Sequence, residues 1–515
     1  MTNASVHTDE STKEMNLLMR SLIQMGPKIT RNKPIIKMAM SMGENYFIND
    51  NKRRHKEDTA TAPGVIDDQT DLSLSILHSV QQALSNGNLS EATFEKAATV
   101  LGKDLLVEKE LRNRKATEFR EKYGFSQPSF LLISPTHACN LRCIGCYADS
   151  DERVQKLEYD VFDKAVSEAY QYWGIQFIVI SGGEPLSYHS QGKTLLDIAE
   201  AHPNMYFMFY TNSTLITPEI AKRMAKLGNI VPMISLEGWR EKTDGRRGKG
   251  VFDKVMAAMD LLFEEGVLYG VSLTATRENA EEIVSEDFID YLFDEKHALI
   301  AWVFHYMPIG RSFTLDLMPT PEQRIMMWNR SWTMVREKHR FIADFWNSGT
   351  AVNGCLSAGG HGAGGYMYID WYGHVTPCVF LPYSPVNIND VYAKGGTLED
   401  IYQAPFFDNL RQWQVEIANK TGGSNLMNPC PIRDHNADLR QMIAKHEPDP
   451  IDINAEIAMQ DPAYAAGMDA YDAKYQKIVD TVWQKAYIEN KHLSQDELDE
   501  IVSAIDENQP IPVEE

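Results

Sequence analysis

The chain has 515 residues, a net charge of −22 and six cysteines, a length that suggests two to four domains of roughly 150 residues each and excludes a small disulfide scaffold. The acidic balance argues against nucleic-acid binding, which needs a basic surface, and no apolar run is long enough to cross a membrane. Met1–Glu14 is polar with both charge signs, unlike a secretory signal, so a cytoplasmic protein is expected, with its cysteines as metal ligands or free thiols.

Residues 1–125 read as a helical extension. Leu17–Lys56 carries nine Lys or Arg against two acids, with Leu18, Leu22 and Met25 at helical spacing and Ile35, Ile36, Met38 and Met40 set among Lys33 and Lys37. Such a segment either lies at an anionic membrane surface as a peripheral contact or packs as an ordinary helix on the body. Val80, Leu84, Phe94, Ala97, Leu101, Leu105 and Leu106 fit amphipathic helices, with a turn at Asn86-Gly87.

From Phe130 the texture changes. Six short apolar runs, Phe130–Ser134, Phe177–Ser181, Tyr206–Tyr210, Val231–Ser235, Val271–Ala275 and Ile300–Tyr306, are each followed by a helix-period segment. This predicts an α/β fold of repeated βα units on a parallel sheet, with the chemistry at the C-terminal strand ends. Met233, Trp302, Phe304, Tyr306 and Met307 are candidates for the interior of that sheet. From Cys355 to His435 the chain is rich in Gly, Pro and Tyr and holds the other three cysteines, which suggests a small second site. His446–Glu515 has 17 acids and four lysines and reads as a solvated helical tail.

The first three cysteines follow the first strand directly, in Thr136-His-Ala-Cys139-Asn-Leu-Arg-Cys143-Ile-Gly-Cys146-Tyr147. Three thiolates on one loop can share a metal centre; they suit an iron–sulfur cluster with one iron left open, whereas zinc would want a fourth protein ligand. The second strand runs into Gly182-Gly183-Glu184-Pro185, where two glycines let backbone approach a ligand.

Together these motifs resemble the radical S-adenosylmethionine (SAM) superfamily, whose signature is Cys-x3-Cys-x2-Cys after the first strand of a partial (β/α)6 barrel. The resemblance implies a [4Fe–4S] cluster on Cys139, Cys143 and Cys146 and SAM bound through Gly182, Gly183, Glu184 and Pro185. It further implies cofactor contacts at Tyr147, Thr211, Asn212, Ser235, Glu237, Thr276 and Asn279. In place of the usual aromatic before the third cysteine stands Gly145, with Tyr147 after it. Cys355, Cys378 and Cys430, with a Gly-x4-Cys turn at Gly373, resemble a SPASM/twitch extension. That implies one auxiliary cluster, whose fourth ligand would be His361, Asp434 or His435, or whose fourth iron would stay open. His374 is expected to be a turn residue.

The expected domains are a helical extension (1–125), a partial barrel (126–325), a helix plus twitch-like domain (326–435) and an acidic helical tail (436–515). The implied function is reductive cleavage of SAM to a 5′-deoxyadenosyl radical, fed by flavodoxin or ferredoxin in a low-oxygen setting. That radical would abstract hydrogen from an unactivated C–H bond. The substrate expected is hydrophobic or lipid-like; a small metabolite, cofactor precursor or peptide is the alternative, although the helical N-terminus and the shortage of cysteines count against a peptide. An iron–sulfur electron carrier or redox sensor is the remaining alternative, and it would have no use for the Gly-Gly-Glu-Pro turn.

Overall fold

A computed structural model describes residues 33–100, 110–358, 365–420 and 425–506. Leu18, Leu22, Met25, Leu101, Leu105, Leu106 and His361 lie outside the described residues.

All six apolar runs form strands of one sheet: β1 (Phe130–Ile133), β2 (Phe177–Ile180), β3 (Tyr206–Thr211), β4 (Ile230–Leu236), β5 (Gly270–Ala275) and β6 (Ala301–His305). They lie side by side in chain order, each neighbouring pair parallel. Pro232 falls inside β4, yet the β4–β5 ladder begins only at Met233↔Gly270, so on that side a residue without an N–H costs no ladder bond. Four further strands extend the sheet to ten. β7 (Ile342–Asp344) pairs parallel with β6. β8 (Tyr366–Ile369) pairs parallel with β1 in the register Phe130↔Tyr366. β9 (His374–Thr376) and β10 (Val386–Asn387) continue antiparallel from β8. The Cys-rich segment is thus hydrogen-bonded into the same sheet as the βα units.

Side chains alternate across the strands. Leu131, Ile133, Ile178, Ile180, Phe207 and Phe209 are fully buried in the core. Their alternates face a single central cavity: Phe130 and Leu132 from β1, Phe177 and Val179 from β2, Met208 and Tyr210 from β3, Ser272 and Thr274 from β5, Trp302 and Phe304 from β6. A sheet whose strands border one space on one face is wrapped around it, which is the partial-barrel architecture with two free edges, β7 and β10.

At the N-terminal side, α1 (Lys33–Glu57) and α2 (Pro63–Asn86) form a helical pair. Pro63 stands in the first turn of α2, where its missing N–H costs nothing, and Gly87 at φ 71° ends it, matching the expected turn. Outside the sheet, α3 (Tyr159–Trp173) ends at Gly174 and α4 (Pro218–Leu227) starts at the Thr217 cap. α5 (Pro321–Lys338) opens on a Thr320/Gln323 capping box.

One of the ties that fasten α2 to the body is a fully buried carboxyl. Asp68 on α2 pairs with Arg336 of α5 at 2.6 Å and accepts from Thr350 at 2.6 Å and Tyr487 at 2.8 Å. Burial pushes it up to about 6 despite these partners. Removing it would leave two buried hydroxyls without an acceptor, at about 1–3 kcal/mol each. The described part of the acidic tail is mainly helical, as expected. Its helix α6 (Pro462–Trp483) packs Met468 against Tyr306 and Met318, so this part of the tail supports the sheet interior as well as facing solvent. Among the described residues no helix is long and apolar enough to cross a membrane.

Candidate active site

The cysteine loop leaves the C-terminal end of β1 and is fixed by backbone on both sides. Cys139 N–H donates to Asp151 O at 2.7 Å and His137 N–H to Gln155 O at 2.9 Å. The Gly-Gly turn docks on the same loop: Gly183 N–H donates to Thr136 O and Glu184 N–H to Ala138 O, both at 2.8 Å. A side chain at Gly183 would place its first carbon 2.3 Å from Ala138 O and 2.5 Å from His137 O. Gly182 sits at φ 121°, where any other residue is strained.

Gly145 resolves the departure from the usual motif. A Cβ there would lie 2.6 Å from the ring of Tyr306, so the aromatic group beside the third cysteine arrives from the end of β6. Tyr147 fills a different place. Its hydroxyl accepts from Gly182 N–H at 3.2 Å and is bonded to Ser181, and its ring packs edge-on to Phe380 at 5.8 Å.

Two arginines clamp the loop, and a third shares a carboxylate with one of them. Arg311 donates to Cys143 O at 2.6 Å, to Asp149 Oδ1 at 3.0 Å and to Ser150 O, and its backbone N–H donates to Cys146 O at 3.0 Å. Arg246 reaches Ile144 O at 3.1 Å, and Arg246 and Arg247 both pair with the buried Glu237, at 2.6 and 2.5 Å. The second oxygen of Glu237, Oε2, is buried without a hydrogen-bond partner, and Glu237 does not border the central cavity.

Cys139, Cys143 and Cys146 are free thiols and all border the central cavity of about 220 Å³. Burial pushes the Cys139 thiol up to about 12 and raises Cys143 as well, the latter against Arg247 and Arg246. Without a metal both would stay protonated at neutral pH, whereas coordination deprotonates a thiol outright. Asn212 Nδ2 lies 3.8 Å from Cys139 Sγ, a donor available to a thiolate. Among the described residues no group of three His, Cys, Asp or Glu side chains is arranged to hold a single metal ion.

Of the other expected cofactor residues, Tyr147, Gly182, Gly183, Thr211, Asn212 and Ser235 border the cavity with the cysteines. Glu184, fully buried, instead ties strand ends together. It accepts from Thr211 Oγ1 at 2.8 Å, Asn212 N at 2.8 Å and Leu186 N at 3.1 Å, and burial pushes it up to about 7. Pro185 opens the short helical turn behind it. Thr276 and Asn279 form a closed local pair: Asn279 accepts from Thr276 N and Oγ1 and donates to Glu237 O at 2.8 Å and Thr274 O at 3.0 Å. Trp302, Phe304, Tyr306 and Met307 border the cavity; Met233, on the same face of β4 as the cavity-lining Ser235, is fully buried and does not itself border it.

The second cysteine set also converges. Cys355, Cys378 and Cys430 border one small cavity of about 40 Å³. Burial raises all three thiols, Cys430 to about 12. Two expected fourth ligands are engaged elsewhere. Asp434 forms a two-pronged pair with Arg324 at 2.5 and 3.1 Å, and His435 is bonded to Asn428 O at 2.9 Å. His374, expected in a turn, instead opens strand β9, paired with Asn387 and bonded to Asp370 at 2.9 Å. Three residues after Cys430, Arg433 is fully buried; its Nε and Nη2 make no hydrogen bond, with Nε 3.7 Å from Asp434 Oδ1. A buried cation with unused donors suits an anionic iron–sulfur centre beside it. Its Nη1 donates to His305 Nδ1 at 2.8 Å, and His305 Nε2–H donates to Asp344 at 2.9 Å. Burial pushes His305 down to about 4, so the ring is neutral. Arg246, Arg247 and Arg433 were not expected from the sequence; the adjacent Arg246-Arg247 pair after Asp244-Gly245 was the one visible signal.

Residues 133–286 match the sequence model of the radical SAM superfamily. The chain carries a radical SAM domain. Such domains use a [4Fe–4S] cluster and SAM, and the match covers the cysteine loop, the Gly-Gly-Glu-Pro turn and strands β2–β5. The chain is similar to the mycofactocin maturase MftC of Mycolicibacterium smegmatis, 28% identical over 300 residues, which are 56% of this chain and 74% of that protein. It is similar to the Fe-coproporphyrin III synthase of Methanosarcina barkeri, 32% identical over 180 residues, 34% of this chain and 43% of that one. A third relative, the AdoMet-dependent heme synthase of the same organism, is 25% identical over 287 residues, 51% of this chain and 80% of that protein. Among solved structures, Streptococcus suis SuiB bound to S-adenosylmethionine aligns at 17% identity and a TM-score of 0.49, over 71% of this chain and 87% of that one.

Proposed function

We propose that this chain is a radical SAM maturase. Cys139, Cys143 and Cys146 hold the SAM-cleaving cluster, Cys355, Cys378 and Cys430 hold an auxiliary one, and the substrate is an apolar cofactor precursor or modified peptide. The observation that carries the reading is the cavity itself. One space is bordered at one end by the first cysteine set and the Gly182–Gly183 turn and walled elsewhere by Trp302, Phe304, Phe345 and Phe380.

When bound and reduced, the cluster and SAM supply a 5′-deoxyadenosyl radical able to take hydrogen from an unactivated carbon. The chain supplies placement and exclusion, as proteins do for reactive cofactors. Gly182 and Gly183 bring backbone up to the loop. Glu237, behind the cavity, pairs with Arg246 and Arg247, both of which border it. The aromatic wall keeps water and stray hydrogen donors from the reacting carbon. Trp302 Nε1–H, buried and unpartnered on that wall, is a donor for a substrate carbonyl or ring nitrogen.

The apolar wall supports a hydrophobic substrate, and the relatives' names, a maturase and two synthases, favour maturation over lipid chemistry. The lipid reading rests on the basic segment Leu17–Lys56, part of which lies outside the described residues; peripheral contact with an anionic membrane is proposed on that segment alone. An electron carrier would need no such cavity. Flavodoxin or ferredoxin is the proposed reductant.

The test is anaerobic reconstitution with iron, sulfide, dithionite and SAM. Formation of 5′-deoxyadenosine and methionine is expected. Absence of both, with no SAM binding by calorimetry, would reject the enzyme reading. Comparing peptide, tetrapyrrole and lipid fractions of a deletion strain then assigns the substrate class.

A further inference from the structure

The substrate cavity and the second cysteine pocket share one wall. Phe345, Tyr366 and Phe380 border both spaces, so the partition is a single layer of aromatic side chains. Tyr366 differs from its two neighbours in carrying a polar group through that layer. Its ring stacks on Phe130 at 4.9 Å, and its hydroxyl lies 3.0 Å from Cys378 Sγ. The hydroxyl oxygen also accepts from Val379 N–H at 3.3 Å. That acceptor role leaves the phenolic proton directed to sulfur. Tyr366 is 1% exposed, so no solvent competes for the bond.

We propose that Tyr366 is a positioning residue for the auxiliary centre: its hydroxyl donates to the Cys378 sulfur and raises that centre's reduction potential, from the wall of the substrate cavity. The inference rests on the reading that Cys355, Cys378 and Cys430 hold a cluster. Reducing an iron–sulfur centre adds negative charge, and a hydrogen bond to a ligating sulfur favours the more negative state, so donors to sulfur raise the potential. In a dry pocket that bond acts at low dielectric, where its effect is largest. Backbone Phe380 N–H donates to the same sulfur at 3.5 Å, an ordinary N–H···S length, so the phenol is a second donor, and it is the one a side-chain substitution removes. The phenol is thus the side-chain group that touches the sulfur and also borders the space where substrate would sit.

The experiment uses the full chain with Cys139, Cys143 and Cys146 changed to alanine, so that only the auxiliary centre remains. This protein and its Y366F and Y368F derivatives are reconstituted anaerobically. Tyr368 lies on the same strand and makes no hydrogen bond to a cysteine, so it controls for loss of a buried phenol. Iron content and the midpoint potential by spectroscopically monitored redox titration are read for each. Pulsed magnetic resonance of the reduced centre in H2O and D2O reports any exchangeable proton coupled to it. Y366F is expected to keep its iron, to titrate at a lower potential than the parent and to lose one exchangeable proton coupling, while Y368F matches the parent in all three. Full iron with an unchanged potential and coupling in Y366F would overturn the role of Tyr366 while leaving the auxiliary cluster standing. Absence of iron in the parent would remove the cluster itself, and the inference with it.

Discussion

Gly183→Ala isolates the contact that joins the SAM turn to the cysteine loop. Gly183 does not adopt a positive φ, so alanine is tolerated by the local backbone and its effect comes from contact alone. The new methyl would meet Ala138 O at 2.3 Å and His137 O at 2.5 Å. Both are backbone atoms, which cannot swing aside as a side chain would. Overpacking of this kind costs about 1–3 kcal/mol. Relieving it separates turn from loop and weakens the two 2.8 Å bonds from Gly183 N and Glu184 N, each worth about 1 kcal/mol. A distortion of about 3–5 kcal/mol at the ligand cradle corresponds to a loss of SAM affinity of about a hundredfold or more. Calorimetric titration of SAM into the reconstituted variant measures it, with iron content as the check that the cysteines still bind their cluster. Gly192→Ala is the control: at φ 75° and with open space around it, it carries backbone strain but touches nothing. If Gly183→Ala binds SAM within threefold of the parent with full iron, the turn does not form the cradle.

Iron counting separates the two cysteine sets. The parent is expected to hold about eight irons, and either Cys355→Ala or the Cys139/Cys143/Cys146 triple alanine variant about four; about four in the parent would leave a single cluster. Arg311→Ala removes the side-chain bonds that pin Cys143 O and Ser150 O, so a chelator should strip iron from the first set at least about tenfold faster, each charged bond being worth about 1.5–3 kcal/mol; an unchanged rate would mean the clamp is not needed. His305 gives a pH signature. Its folded pKa, about 4, lies below the ordinary value of about 6.5, so the unfolded chain takes up a proton in that window and the folded one does not. Stability attributable to His305 therefore falls as pH drops, by about 2 kcal/mol between pH 7.5 and 5. Glu184 and Asp68, whose pKa values are raised, act in the opposite sense. The readout is therefore the parent minus His305→Gln in denaturant titrations at the two pH values, and a pH-independent difference would contradict the buried neutral ring.

What the sequence made legible follows from how parallel strands are buried. Phe130-Leu-Leu-Ile133 and Phe177-Ile-Val-Ile180 are apolar on both faces, and such runs announce themselves. β7 did not, because Ile342-Ala343-Asp344 is three residues long and ends on an acid whose partner, His305, lies on another strand. β8 did not, because Tyr366-Met-Tyr-Ile369 sits in a Gly- and Tyr-rich segment and is made a strand by pairing with β1, a contact far away in sequence. The cysteines were legible from spacing alone in the first set; in the second, their meeting in one pocket required the fold. The arginines were hardest. Arg246 acts on a backbone carbonyl of the cysteine loop, and a carbonyl leaves no mark in a sequence. Thr276 and Asn279 carry the opposite lesson: polar residues at a strand end attract a ligand reading, yet here they satisfy each other and the backbone.

The pairing of β8 with β1 decides how the two cysteine sets relate. β1 leads from Ile133 into the first set, while its other end, Phe130, is in register with Tyr366, whose hydroxyl touches Cys378. The two sets are therefore near opposite ends of one short strand. Four residues at about 3.3 Å of rise each make that strand roughly 10 Å long from first to last Cα. Phe130 and Leu132 face the cavity along this length, so a substrate that fills the space borders the first set and is parted from the second by the aromatic layer of Phe345, Tyr366 and Phe380. A βα fold that needed only to cleave SAM would have no reason to hydrogen-bond a second thiol-bearing segment against its first strand. Under the proposed function, the parallel β1–β8 ladder would hold Cys355, Cys378 and Cys430 behind the cavity wall, where a cluster on them would supply an electron acceptor near the substrate. Substitutions that disturb this ladder should uncouple SAM cleavage from product formation while leaving 5′-deoxyadenosine production intact.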